Sequence, residues 1–190
     1  MTAPSLISLF VRPLNQLRIP YLITGGVASV IYGEPRFTRD IDLVVRLQAR
    51  DAARFAQTWP ATDFYVPPVE VIEEESRRPS HGHFNVSHLQ TAMRADLYLP
   101  GEDPLTAWAL GRPVARQVDD DEVLVAPIEA VILSKLRYYQ MGKSDRHLRD
   151  IGQMLRISRD LVDVPELERW AARLGVGREW EAAQGYREEP

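Results

Sequence analysis

The chain has 190 residues, of which 45% are hydrophobic and 26% charged, so it is long enough to fold as one domain with a buried core. Its net charge of −4 argues against a general nucleic-acid coat protein, and the lack of cysteine excludes disulfide bonds, thiol catalysis and cysteine metal ligands. The sequence contains no run of about 18 apolar residues, the length that would indicate a membrane span. We expect a cytoplasmic protein that does not bind membranes.

The first predicted elements are a helix, a strand and a second helix, over residues 4–17, 20–24 and 26–32. The first helix lacks the basic leader and the cleavage site of a signal peptide. Between the strand and the second helix the chain reads Thr24-Gly25-Gly26. A strand, a glycine turn and a helix N-terminus present free backbone N–H groups and the positive end of a helix dipole, where phosphate binds well. The turn is therefore a candidate phosphate site.

An acidic doublet lies in the next predicted strand, residues 40–47, which carries Asp40 and Asp42. Because side chains alternate along a strand, the two carboxylates lie on one face, about 6–7 Å apart along the strand. Such a pair is close enough to share the ions of a two-metal phosphoryl-transfer site, and paired like charges usually need a cation. The alternative is a strand with one solvated face. Arg36 and Arg39 precede the doublet and place positive charge beside a triphosphate, which favours the metal site.

A third carboxylate is predicted on a later strand. The pattern after the doublet predicts a helix, a short strand, a helix and two strands, over residues 50–58, 63–66, 68–77, 83–89 and 93–99. In the last of these, Asp96 is a single acid among apolar residues, and a hairpin or a neighbouring strand would bring it beside Asp40 and Asp42. The histidines of segment 81–88 lack a fourth zinc ligand, so we interpret that segment as a polar loop that leads into a strand.

A helical tail begins at Pro127, after a helix and two extended segments over residues 103–110, 113–118 and 122–125. Proline suits the first position of a helix, and Gly142 is its predicted end. Lys135 falls within the apolar stripe of that helix, so its ammonium either extends outward to solvent or faces an anion in a cleft. Strands interspersed with helices predict an α+β core over residues 1–125, which packs as one unit with a helical subdomain over 126–190.

Three features together carry a resemblance to a known family: Thr24-Gly25-Gly26, the run Arg36-x-Thr38-x-Asp40-Ile41-Asp42, and Asp96. They resemble the nucleotidyltransferase fold of the DNA polymerase beta superfamily, which implies a mixed β-sheet core with helices on it and a C-terminal helical bundle. Within that superfamily the chain is similar to small prokaryotic nucleotidyltransferases related to the abortive-infection type IV toxins, over residues 20–155. The stretch from 129 to 150 is similar to that group as well, although Gln153 stands where the toxins' Arg-Asp-x-x-Asp motif ends in an acid.

The resemblance implies a Mg²⁺-dependent enzyme that transfers a nucleoside monophosphate from a nucleoside triphosphate to an acceptor hydroxyl and releases pyrophosphate. The acceptor is RNA, protein or a small molecule. Asp40 and Asp42 would hold two Mg²⁺ ions, and Asp96 would complete the catalytic ion's ligands and help to deprotonate the acceptor. The expected nucleotide-binding residues come from the turn, the arginines and the tail: Thr24, Gly25, Gly26, Arg36, Arg39, Lys135 and Asp150.

One site residue and the function each have alternative interpretations. Asp150 is assigned to the site by the resemblance alone, because a surface pair with Arg146, four residues earlier, also explains it. A relative of the type IV toxins would also bind an antitoxin. Two alternative functions use the same residues: a nucleotide-binding regulatory module without turnover, and metal-assisted hydrolysis of phosphodiesters.

Overall fold

A computed structural model describes residues 4–186; residues 1–3 and 187–190, which the predicted core and tail include, lie outside the described part. The strands in this part are β1 Tyr21–Thr24, β2 Asp40–Val45, β3 Phe64–Tyr65, β4 His83–His88, β5 Arg94–Tyr98, β6 Val114–Val118 and β7 Asp121–Val125. The described strands form one seven-stranded sheet in the order β3-β4-β5-β2-β1-β7-β6. It is mixed, because β2 pairs with β5 and β1 with β7 in parallel, and the other neighbours are antiparallel.

The α-helices surround this sheet and form the tail. They are α1 Arg12–Leu17, α2 Gly25–Tyr32, α3 Ala52–Ala56, α4 Val69–Arg77, α5 Pro104–Leu110, α6 Ile128–Gly142, α7 Asp145–Ile157, α8 Val164–Leu174 and α9 Gly177–Gly185. A π-helical turn, Ile7–Val11, leads into α1. The predicted α+β fold with a mixed sheet and a helical tail is confirmed. No helix within residues 4–186 has the length and apolar character needed to span a membrane.

Several predicted elements are shorter in the structure, and the helix over 50–58 and the strand over 63–66 lose the largest share of their predicted length. Helix 50–58 becomes a 3₁₀ turn, Ala49–Asp51, followed by α3, which ends well before Pro60. The residue before a proline is disfavoured in the helical conformation, which favours an end of the helix ahead of Trp59. Strand 63–66 keeps only the two residues of β3, because the prolines that follow cannot donate to a sheet ladder.

The apolar face of β2 packs into the core and leaves the acids on the opposite face. Ile41, Leu43 and Val45 are fully buried on one face, and Asp40 and Asp42 lie on the other. Helix α2 contacts β1, β2, α6 and α7, so three helices meet beside the acidic face. The Tyr32 hydroxyl at the end of α2 donates to the Ala126 carbonyl at 2.9 Å, which ties α2 to the start of the tail. Burial raises the pKa of Tyr32 to about 12, so it remains a donor at neutral pH.

Candidate active site

The register of three strands brings the acidic side chains together. Asp42 lies opposite Asp96 on the parallel neighbour β5, and Asp40 lies opposite Arg94. On the other side of β2, Thr24 lies opposite Asp42 at the point where β1 ends and α2 begins. Side chains in register on adjacent strands share a face and are separated by about 5 Å. The sheet therefore places the three predicted carboxylates on one face, beside the glycine turn.

The glycine turn packs directly against Asp42. Gly25 has a φ of +56°, and a Cβ atom there would lie 2.0 Å from Asp42 Oδ2, so only glycine fits. The Gly26 amide donates to Asp42 Oδ2 at 3.1 Å, and the Tyr98 hydroxyl lies 3.5 Å from Asp42 Oδ1. The amide that the sequence pattern suggested for phosphate is thus occupied by an acid of the site itself.

The electrostatics of Asp42 favour a bound cation. Burial raises the pKa of Asp42, the hydrogen bond from Gly26 lowers it, and the charges of Asp96 and Asp40 raise it further. The balance of these effects is a raised pKa, so holding Asp42 ionised costs free energy. A divalent cation beside the three carboxylates would offset that cost, and oxygen ligands are the set that Mg²⁺ prefers.

Arg94 already supplies a positive charge to this face, although it was not among the predicted site residues. Its Nε and Nη2 atoms lie 3.1 and 3.0 Å from Asp96 Oδ2, and Nε lies 3.6 Å from Asp40 Oδ1. Within residues 4–186 no group of three or more His, Asp or Glu side chains is arranged to hold a metal ion as it stands. Arg94 stands two residues before Asp96, and this spacing along a strand is the signal that would have revealed it.

His83 is a second missed residue at the site. Its Nε2 atom lies 3.5 Å from Asp96 Oδ1, and its ring lies 4.8 Å from the ring of Tyr98. These contacts follow from the register of β4 on β5, which pairs His83 with Tyr98. No sequence signal specifies that register, so the pattern placed His83 at the entry to the predicted strand 83–89 without linking it to Asp96.

A buried ion pair in the tail determines the orientation of Lys135 and the partner of Asp150. Lys135 and Asp150 are 6% and 4% exposed, and Lys135 Nζ lies 2.6 Å from Asp150 Oδ2. The outward-extending lysine and the surface pair of Asp150 with Arg146 are therefore both wrong, because α6 and α7 pack together and enclose the two charges. Burial lowers the pKa of Lys135, while the charge of Asp150 raises it and keeps the ammonium compatible with burial.

The two predicted arginines lie in different surroundings. Arg36 Nη2 lies 3.6 Å from Asp150 Oδ2, and this nitrogen is buried with no hydrogen-bond partner among the described residues. It also lies 3.4 Å from the position of a Cβ at Gly26, so it sits over the glycine turn. Arg39 is exposed, and its guanidinium lies 5.9 Å from the centre of the Phe37 ring. The structure thus brings Arg36, and not Arg39, into contact with the other predicted nucleotide-binding residues.

Comparisons with known proteins identify the family and the fold of the chain. A family model described as "Nucleotidyl transferase AbiEii toxin, Type IV TA system" matches residues 8–189. The fold is similar to that of an antigenic nucleotidyltransferase-like protein from Paracoccidioides brasiliensis, with a TM-score of 0.57 and 18% identity over 97% of this chain and 92% of that one. It is also similar to the solution structure of the antibiotic-resistance factor ANT(2'')-Ia, with a TM-score of 0.52 and 14% identity over 95% and 96% of the two chains. None of the curated proteins matches.

Proposed function

Since this chain belongs to the AbiEii family of nucleotidyltransferase toxins of type IV toxin–antitoxin systems, it is a nucleotidyltransferase, and we propose that it uses Mg²⁺ to transfer a nucleoside monophosphate from a nucleoside triphosphate to an acceptor hydroxyl, with release of pyrophosphate. The observation that carries the proposal is the register of β2 on β5, which places Asp42 beside Asp96 on the face that carries Asp40. The fold of the two structural neighbours is consistent with it.

Asp40, Asp42 and Asp96 would hold two Mg²⁺ ions. The all-oxygen donor set supports this assignment, and so does the raised pKa of Asp42, which a nearby divalent charge would lower. Bound there, Mg²⁺ supplies positive charge that stabilises the triphosphate and the leaving pyrophosphate. Asp96 accepts the proton of the acceptor hydroxyl, which then attacks the α-phosphate in line.

The glycine turn and three cations would bind the triphosphate. The Gly26 amide donates to Asp42, so Thr24, Gly25 and Gly26 would contribute to phosphate binding through the positive end of the α2 dipole, which lies close to the acidic face. Arg36 carries a buried nitrogen without a hydrogen-bond partner in the described part of the chain, and this nitrogen lies over the turn. It is therefore placed to donate to a phosphate oxygen, which would remove the cost of leaving it unpaired.

Three further predicted residues complete the proposed nucleotide site. Lys135 is held in place by Asp150 and lies near enough to Asp42 for the two charges to affect each other's pKa. We assign Lys135 to the triphosphate and Asp150 to the positioning of Lys135. We also assign Arg39, whose side chain is exposed in the structure, to the phosphates.

The proposed function also concerns the acceptor and a protein partner of the chain. Membership of a toxin family supports an antitoxin as a protein partner. The proposed acceptor is RNA, protein or a small molecule. A nucleoside triphosphate substrate and a chain without cysteine suit the cytoplasm, where we place the reaction.

Label transfer tests this function directly. The purified protein is incubated with Mg²⁺, each α-³²P nucleoside triphosphate, and RNA or protein from a cell extract, and we expect one acceptor fraction to carry label while pyrophosphate appears. Asp42→Asn and Asp96→Asn should each lower transfer by at least about 10²-fold, the size of losing one important transition-state contact. Asp160→Asn, at an exposed acid in the turn Arg159–Leu161, is the matched control and should retain full activity.

The regulatory alternative predicts a different result in the same assay. A nucleotide-binding module would bind the triphosphate but release no pyrophosphate with any acceptor, and Asp96→Asn would then change nothing but affinity. A hydrolase would cleave the RNA without incorporating label. Either result would contradict nucleotidyl transfer by this chain.

A further inference from the structure

Helices α6 and α7 meet along a seam that contains two layers of paired side chains. The first layer is the ion pair of Lys135 with Asp150. Tyr138 lies three residues after Lys135, and His147 lies three residues before Asp150, so both point from the same helix faces one turn further along. Their rings are stacked, with centroids 5.9 Å apart and planes at 22° to each other. The aromatic pair is therefore the next layer of the seam, directly beyond the ion pair.

The seam is connected to the proposed phosphate site. Arg36 Nη2 lies 3.6 Å from Asp150 Oδ2 and sits over the Gly26 backbone. Burial raises the pKa of Tyr138, and the negative charge of Asp42 raises it further, so the ring lies within electrostatic reach of that acid. The aromatic layer therefore lies one helical turn beyond the ion pair that Arg36 connects to the proposed phosphate site.

The aromatic pair is open on one side, unlike the aromatic residues of the core. Tyr138 is 51% exposed although its ring stacks on His147. The Nδ1 atom of His147 is buried and has no hydrogen-bond partner within residues 4–186, so stacking is the contact that orients this ring. Burial lowers the pKa of His147 and keeps the imidazole neutral at neutral pH. A neutral ring beneath an exposed tyrosine is an apolar platform and does not repel the cations nearby.

We propose that the Tyr138–His147 pair is the nucleobase subsite, on which the base of the triphosphate stacks against the half-exposed Tyr138 ring. A planar base beside a triphosphate is the ligand that matches an aromatic face next to a cluster of cations. This inference rests on the proposed function, from which it takes its ligand, and it adds the side chains that bind the part of the nucleotide beyond the phosphates.

The test separates the base from the phosphates by using two ligands. The full-length protein is titrated in Mg²⁺ with α,β-methylene nucleoside triphosphates, which cannot be transferred, and with inorganic tripolyphosphate, which has no base. Tyr138→Leu should weaken nucleotide binding by roughly 5- to 150-fold, the loss typical of one base stacked on an aromatic ring. It should leave tripolyphosphate binding unchanged. Tyr138→Phe keeps the ring and should retain nucleotide affinity.

Further variants and controls make the result decisive. His147→Leu removes the lower ring and should show the same selective loss for the nucleotide. Tyr65→Leu, at an exposed tyrosine on the edge strand β3, should change neither affinity. Equal nucleotide affinities for the parent and Tyr138→Leu, or parallel losses for both ligands, would overturn the base subsite while leaving the proposed function intact. If the parent bound neither ligand, both the proposed function and the subsite would be wrong.

Discussion

The Lys135–Asp150 pair is a buried ion pair on the tail side of the proposed site. Both side chains are almost completely buried and lie 2.6 Å apart, so each charge relies on the other. Arg36 lies 3.6 Å from the same carboxylate oxygen and replaces the lysine only in part. Removing one member of such a pair leaves an uncompensated buried charge, whereas removing both is often well tolerated.

We therefore expect Lys135→Met to destabilise the protein by up to about 3–5 kcal/mol, measured by urea unfolding. The double variant Lys135→Met/Asp150→Asn should recover most of that loss, because no buried charge is then left alone. Arg77→Met is the control, since the side chains of Arg77 and its ion-pair partner Glu73 are 64% and 37% exposed; it should cost less than about 1 kcal/mol. Additive losses in the double variant would show that the two residues do not act as a pair.

At the scale of elements, the parallel pairing of β2 with β5 decides the character of the site. It sets Asp40 opposite Arg94 and Asp42 opposite Asp96, so each of the two acids on β2 has a charged neighbour on β5. Arg94 neutralises the acids from within the sheet, and its contact with Asp96 Oδ2 competes with any metal ion for that oxygen. The strand pairing thus supplies both the proposed metal ligands and an internal competitor.

Arg94→Ala should raise the affinity for Mn²⁺, used as a probe for Mg²⁺ and followed by electron paramagnetic resonance of the free ion. The expected gain is roughly two- to fivefold, the size of a partly exposed ion pair, because the Arg94 side chain is 44% exposed. Arg77→Ala, on α4, removes a comparable exposed ion pair with Glu73 and should leave Mn²⁺ affinity unchanged. An affinity in Arg94→Ala that equals or falls below that of the parent would contradict the competition.

For the whole molecule, contacts of the tail with the core link the site to global stability. Helix α6 contacts α2 and α5 of the core as well as α7, α8 and α9 of the tail, and Tyr32 donates across the boundary to Ala126. We propose that the predicted core over residues 1–125 and the helical subdomain over 126–190 unfold as one cooperative unit. The ionisation of Asp42 then affects the stability of the entire chain.

The direction in which the stability of the chain changes with pH follows from the raised pKa of Asp42. Protonated Asp42 favours the folded state, so its contribution is present below the unfolded pKa near 3.9 and is lost as the pH rises through the higher folded pKa. At pH 7.5 the ionised acid therefore lowers the stability of the metal-free protein, and Mg²⁺ binding offsets that effect.

We expect one thermal transition, whose midpoint Mg²⁺ raises more at pH 7.5 than at pH 5. At about 100 times the dissociation constant the gain is about 2.7 kcal/mol. Asp42→Asn should raise the midpoint of the metal-free protein at pH 7.5 and abolish most of the Mg²⁺ effect. Calorimetry at the two pH values provides the measurement. A Mg²⁺ effect that persists in Asp42→Asn would mean that the ion binds elsewhere, and two separate transitions would divide the chain into independent units.

The order of elements and the faces of the strands were predictable from the sequence, because both depend on local periodicity. The alternation of apolar and acidic residues in β2 suffices to put Asp40 and Asp42 on one face, away from Ile41. The same reasoning selects Asp96 on β5 and places Lys135 within the stripe of α6 that packs inward. These inferences need only the geometry of a single strand or a single helix.

Only the tertiary structure decided which side chains meet. The Lys135–Asp150 pair depends on how α6 packs on α7, and the contact of His83 with Asp96 depends on the register of β4 against β5. The use of the Gly26 amide by Asp42 depends on the angle at which α2 leaves the sheet. Such contacts join residues far apart in the chain, and local periodicity carries no information about register or packing angle. The side-chain partners within the proposed site were therefore beyond what the sequence by itself determines.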